Sequence, residues 1–179
     1  TLVKLCQQTG IRVTSLPGAA ACITALTLSG LSTRRFCFEG FLPSDKKERK
    51  AVLKELAEES RTIILYEAPH HLKKTLEELG NVLGNRKITI CRELTKKFET
   101  VMPLMMKEAL EFYEENEPRG EYVLVIQGKS LEEKKREAAL EWMEMSIEEH
   151  MQYYEGQGME RKEAMKMAAK DRGIGKRDV

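Results

Sequence analysis

Residues 61–92 read RTIILYEAPHHLKKTLEELGNVLGNRKITICR, and this stretch decides the fold class. RTIILY (61–66) and KITICR (87–92) are short runs of β-branched, aliphatic and aromatic residues that predict strands. Between them, 69–83 carries a helical pattern opened by Pro69 and closed by Gly84-Asn85. The same alternation extends both ways. Further strands are predicted at 11–16 (IRVTSL), 35–40 (RFCFEG) and 121–126 (EYVLVI), with helical patterns near 18–30, 44–59 and 104–116. Pro17-Gly18, Gly40 with Pro43-Ser44, and Pro118-Arg119-Gly120 supply the breaks. Strands alternating with helices predict an α/β layered domain ending near Gly128, with the strand order left open. TLVKLCQQT (1–9) reads as a helix without its own start, stopped by Gly10, so we expect sequence upstream of Thr1.

Composition sets the class. The 179 residues are 33% charged and 41% hydrophobic with net charge +1, a balance that argues against disorder. No run approaches the roughly 18–20 apolar residues of a membrane span and no signal-peptide pattern opens the chain, so a cytoplasmic protein without membrane attachment is expected. Cys6, Cys22, Cys37 and Cys91 form no CxxC pair and sit in apolar stretches, which predicts reduced, buried thiols. His70, His71 and His150 offer no HExxH spacing, so no metal is expected.

Beyond Lys129 the character changes. Residues 131–155 are helical and carry eight Glu against Lys134, Lys135 and Arg136, a net of −5; residues 157–179 carry +3. The tail reads as a helix over Arg161–Arg172, a turn at Gly173, and a second helix from about Lys176. We therefore divide the chain into an α/β domain (1–129), a helical connector (130–156) and a helix-turn-helix-like basic tail (157–179).

Four loops follow predicted strands, where α/β sheets place ligands. SLPGAAA (15–21) is a turn of small residues whose backbone N–H groups a ligand can approach, or a plain strand-to-helix turn. FEGFLP (38–43) sets aromatics around a glycine, either a platform for a flat ring or a core loop. YEAPHH (66–71) brings together an aromatic, a carboxylate and two imidazoles, groups whose proton affinity burial can tune. RELTKK (92–97), followed by Glu99, interleaves cations and carboxylates beyond a buried strand, a pattern suited to phosphate or ribose contact or to a solvated face.

Taken in order, LPGAAACITAL (16–26), SGL with RFCFEGFLP (29–43), YEAPHHL (66–72), RELTK (92–96), GEYVLVI (120–126) and the tail EGQGMERKEAMKMAAKDRGIGKRDV (155–179) resemble the tetrapyrrole methylase-like, class III SAM-dependent methyltransferases. Within them the chain looks most like the small-subunit (16S) rRNA cytidine 2′-O-ribose methyltransferases. The resemblance implies two α/β domains with S-adenosyl-L-methionine (SAM) folded up in the cleft between them, a homodimer, and rRNA of the small ribosomal subunit as partner. This chain then resembles the C-terminal α/β domain plus tail.

Carried over residue by residue, Pro17, Gly18, Ala19, Ala20, Ala21, Tyr66, Glu67, Ala68, Pro69, Gly120 and Glu121 are the implied cofactor contacts. A 2′-hydroxyl is a poor nucleophile while protonated, so a proton acceptor is expected among Glu67, His70, Glu93 and Glu99. Arg92, Lys96 and Lys97, with Lys162, Lys166, Lys170, Arg172, Lys176 and Arg177 of the tail, are the expected RNA contacts. Departures from the family pattern are Ala20 for Ser or Cys, Ala68 for Ser, His71 for Arg, and FETVMPLMM (98–106), where only Glu99 keeps register with a His-Glu-Glu start. Competing readings are a non-catalytic RNA-binding or dimerisation module, and a class III enzyme methylating a tetrapyrrole or another acceptor.

Overall fold

The computed structural model describes residues 1–175, except the side chains of 138, 141 and 144, and divides them into compact units at Gln127/Gly128. The first unit holds α1 (Leu2–Gln8), α2 (Ala21–Leu28), β1 (Phe36–Phe41), α3 (Lys46–Glu58), β2 (Thr62–Glu67), α4 (Pro69–Leu83), β3 (Lys87–Arg92), β4 (Thr100–Met105), α5 (Met106–Glu115) and β5 (Tyr122–Ile126). The second holds α6 (Leu131–Glu144), α7 (Ile147–Gly156) and α8 (Arg161–Arg172).

The strands form one mixed sheet in the order β1-β2-β5-β3-β4. β1 and β2 run parallel, joined through α3, with a bulge between Phe38 and Gly40. β5 inserts antiparallel between β2 and β3, pairing Leu124 with Leu65 on one side and Ile90 on the other. The centre is covered on both faces, which is why TIILYE, ITIC and YVLVI are nearly unbroken apolar runs. Ile63, Leu65, Ile88, Ile90, Leu124 and Ile126 meet Leu72, Leu76 and Leu79 of α4 and Met106 and Ala109 of α5. Ile64, Cys91, Val123 and Val125 turn the other way, onto Ala25 and Leu26 of α2.

Local chemistry fixes the helix starts. Asp45 caps α3, its carboxylate accepting the N–H groups of Lys47 and Glu48 at 3.0 and 2.9 Å, an arrangement worth about 1 kcal/mol. α4 opens on Pro69 without a side-chain cap at Ala68.

Two predictions are corrected here. IRVTSL (11–16) forms no strand; its apolar side chains Ile11, Val13 and Leu16 are exposed in an irregular segment that lacks a ladder partner among the described residues. Conversely Thr100–Met105, left outside the predicted strands, pairs with β3 from Lys87–Met105 to Arg92–Thr100. Pro103 disguised it, yet an edge strand tolerates a residue without an N–H. Of the cysteines, Cys37 and Cys91 are buried, whereas Cys6 and Cys22 are partly exposed.

The acidic stretch 131–155 is not one helix but two, broken at Met145-Ser146, where Ser146 and Glu149 cap α7 reciprocally. The boundary expected at 157 falls in the turn between α7 and α8. Within this unit the Trp142 ring stacks on the fully buried His150, centroids 4.0 Å apart, and Ala164 and Ala168 are buried on α8. The second helix expected from Lys176 lies outside the described residues. No described helix is long and apolar enough to cross a membrane.

Candidate functional site

A cleft of about 530 Å³ opens where β2 and β3 end and β5 begins. Ala21 of α2, Phe41 of β1, the Tyr66–Pro69 run, Glu93, Leu94 and Lys96 after β3, and Glu121, Tyr122 and Val123 line it. Of the expected cofactor contacts, Ala21, Tyr66, Glu67, Ala68, Pro69 and Glu121 thus converge. Pro17, Gly18, Ala19 and Ala20 do not; they lie in the exposed segment ahead of α2. From FEGFLP, Phe41 borders the cleft, and Tyr66 packs edge-on against it and against Phe38, centroids 5.7 and 5.0 Å away. Tyr66 is also pushed up in pKa by burial and then by a hydrogen bond with Cys22.

Glu67 is the buried carboxylate of the cleft, only 5% exposed. Its Oε1 accepts the N–H of Ala68 at 2.8 Å, and its Oε2 accepts the hydroxyl of Thr75, one turn into α4, at 2.6 Å. Thr75 in turn accepts from Nη2 of Arg49 at 2.7 Å, while Nε of Arg49 pairs with Glu78 at 2.6 Å. This relay through α3 and α4 fixes the carboxylate's orientation without an ion pair to Glu67 itself among the described residues.

The opposite wall is a charged triad. Glu93 Oε1 accepts the N–H of Glu121 at 2.8 Å and Lys96 Nζ at 3.2 Å, and Lys96 reaches Glu121 at 2.9 Å. The Glu121 N–H, followed by Lys96, holds the Glu93 carboxyl below its ordinary range; Glu121, followed by Glu93, holds the Lys96 ammonium above its own. The loop is built around unusual backbone: Glu93 and Thr95 have φ of 51° and 64°. Gly120, at φ +80°, lies flat under Glu93, and a Cβ there would sit 2.6 Å from Glu93 Cγ. Gly120 therefore serves by letting Glu93 close over it rather than by lining the cleft.

The remaining expected residues lie elsewhere. His70 is exposed and packs on His71, ring centroids 4.1 Å apart. The exposed Glu99 closes its own loop by accepting the N–H of Thr95 at 2.6 Å. Arg92 leaves the sheet on the face opposite Glu93 and lines a different cavity. Lys97 is exposed, 5.6 Å above the Phe98 ring. Lys162, Lys166 and Lys170 recur at four-residue spacing and are all exposed, forming one cationic ridge on α8. Arg172 instead donates to the carbonyls of Met145 and Ser146 at 2.6 and 2.9 Å and to His150 Nδ1 at 3.1 Å, tying α8 to the α6–α7 junction. Lys176 and Arg177 fall outside the described residues. Sequence reasoning missed Leu94, Tyr122, Val123 and the supporting Thr75; only the last left a signal, a hydroxyl on the otherwise apolar face of α4.

Residues 1–110 match the family described as Tetrapyrrole (Corrin/Porphyrin) Methylases. The chain is 42% identical over 170 residues to the ribosomal RNA small subunit methyltransferase I of Halalkalibacterium halodurans, covering 95% of this chain and 58% of the relative. Against the protein of the same name from Bacillus subtilis the identity is 42% over 178 residues, covering 99% and 61%. The chain thus spans about three-fifths of the length of these relatives. Among solved structures, the methyltransferase CobJ superposes with a TM-score of 0.53 at 19% identity, covering 71% of this chain and 55% of that one. The cobalt precorrin-4 methyltransferase CbiF gives 0.51 at 17%, covering 70% and 56%. With 1–110 matched by the family model and the fold shared with these methyltransferases, the chain belongs to the tetrapyrrole methylase family.

Proposed function

We propose that the chain is part of a SAM-dependent methyltransferase that modifies the ribose 2′-hydroxyl of a cytidine in small-subunit rRNA. The observation that carries this reading is the convergence, in one cleft, of YEAP and the Glu93–Lys96 loop in a chain so similar to rRNA small subunit methyltransferase I. The same reading makes the enzyme cytoplasmic and homodimeric.

The cleft suits SAM. The cofactor is cationic at its sulfonium and carries a flat adenine ring; the cleft offers the carboxylates Glu67, Glu93 and Glu121 against the single ammonium of Lys96, beside the aromatic wall of Phe41 and Tyr66. When bound, SAM supplies an electrophilic methyl group. Glu67 is the assigned proton acceptor for the 2′-hydroxyl, because its orientation is fixed by Thr75 and Ala68 and no cation pairs with it among the described residues. Glu93, held ionised by Glu121 and Lys96, is a weaker base and acts electrostatically while it shapes the Gly120 loop. Placement of the hydroxyl supplies several kcal/mol of the barrier, and the acceptor adds roughly 10²–10⁴-fold. The α8 ridge of Lys162, Lys166 and Lys170 contacts RNA phosphates outside the cleft.

The test uses small ribosomal subunits from cells lacking the activity, labelled SAM, and the chain assayed alone and with any coding sequence that precedes it. Labelled 2′-O-methylcytidine in either case supports the reading; no label in rRNA with both proteins overturns it.

A further inference from the structure

The RELTK run divides between two cavities. Glu93 and Lys96 line the cleft, whereas Arg92, like Ile88 and Ile90 before it, lies on the face that packs α4 and α5. There it borders a second cavity of about 300 Å³, with Tyr122 as the wall common to both.

The polar groups around this second cavity are one-sided. Arg92 Nε and the hydroxyl of Thr100 are buried and have no hydrogen-bond partner among the described residues. Buried donors in that state are uncommon and call for a ligand or ordered water. Water satisfies a hydroxyl but does not neutralise charge, and this cavity is cationic: Arg92 is joined by Arg119, while its carboxylate, Glu117, is already held by Lys73 at 2.7 Å. Two guanidinium groups and a hydroxyl match an oxyanion, and the guanidinium fork matches phosphate in particular.

We propose that this cavity takes a backbone phosphodiester of the RNA substrate, gripped by the half-buried Arg92 and the exposed Arg119. The inference rests on the RNA reading above. Its geometry is that of the β5 entry loop: Arg119 borders the phosphate cavity, Glu121 borders the cleft, and Tyr122 borders both. A strand crossing this loop presents a ribose to one side and a neighbouring phosphate to the other.

The test measures binding of a single-stranded, cytidine-containing RNA to this chain by fluorescence anisotropy, in wild type, Arg119→Gln, Arg92→Lys and Thr100→Val. In parallel, inorganic phosphate is titrated while the Arg92 Nε–H resonance is followed. Arg119→Gln changes an exposed side chain, so it tests the site even where an Arg92 variant folds poorly. The expected result is RNA affinity lowered about 3–10-fold by Arg119→Gln, a log–log salt slope reduced by about 0.7, weaker binding in the other two variants, and a saturable phosphate shift at Arg92. Unchanged RNA affinity in all three variants overturns the proposal: with a phosphate shift the cavity is a free-anion site, and without one it holds water only. RNA binding that follows the expected pattern in an enzyme that leaves rRNA unmethylated keeps this pocket and overturns the methylation reading instead.

Discussion

Thr75→Val isolates the relay that aims Glu67. Thr75 is fully buried, its hydroxyl donates to Glu67 and accepts from Arg49, and valine has nearly the same shape. Losing a hydrogen bond to a buried charge costs about 1.5–3 kcal/mol, and losing the Arg49 contact adds roughly 0.5–1.5 kcal/mol. The valine methyl offsets at most about 1 kcal/mol of this. The expected net destabilisation is about 1–4.5 kcal/mol, read as a fall of roughly 0.5–2 M in the urea midpoint for a slope near 2 kcal/mol/M. A double-mutant cycle sharpens the test. In a Glu67→Gln background the hydroxyl meets a neutral amide, so Thr75→Val is expected to cost about 1 kcal/mol less. A Thr75→Val protein within about 0.5 kcal/mol of wild type, or equal costs in both backgrounds, refutes the relay.

Other perturbations read other parts of the molecule. Gly120→Ala meets positive-φ strain of about 1–2 kcal/mol and the Glu93 side chain; adding Glu93→Ala relieves only the second, so limited proteolysis of the loop is expected to be partly rescued. The Glu93 carboxyl is held low and the Lys96 ammonium high, so what the triad contributes is present between their ordinary values, 4.5 and 10.5, and is lost as pH falls below the first or rises above the second; the Glu121 amide resonance reports it. His150 accepts from Arg172, and burial followed by that guanidinium lowers its pKa. The unfolded chain then binds the extra proton first, so the α6–α8 unit keeps its full stability above about pH 6.5 and loses it as pH falls below that value. Thermal unfolding at pH 7.5 and 5.5 checks the sign, and His150→Phe is expected to flatten the difference. Neutralising Lys162, Lys166 and Lys170 together to Gln is expected to reduce the salt slope of RNA binding by about 2.

The sheet was legible where burial on both faces left apolar runs: 61–66, 87–92 and 121–126 each became a central strand within a residue or so. The edge strand β1 (Phe36–Phe41) was also legible, as RFCFEG (35–40), whereas two other segments were not. IRVTSL has strand composition but gains no partner among the described residues, and TVMPLM has a proline and two methionines yet gains one, because strand pairing is a tertiary property. The site shows the same division. YEAP and the Glu93–Lys96 loop could be named from the residues because their chemistry is local to strand ends. That Arg92 leaves on the other face of the sheet follows from β-strand alternation, but which face carries the cleft is set by β5 inserting between β2 and β3. Arg172 reads as one more tail cation until the α6–α7 junction supplies the carbonyls that claim it.

The role of Glu67 as the oriented acceptor in a methyl-transfer cleft is tested most directly by single-turnover methylation of small-subunit rRNA by wild type and Glu67→Gln, with SAM affinity measured on the same proteins. Wild type is expected to give 2′-O-methylcytidine, and Glu67→Gln a rate lower by about 10²–10⁴-fold with SAM affinity changed only a few-fold. Glu67→Gln turning over at the wild-type rate contradicts that role.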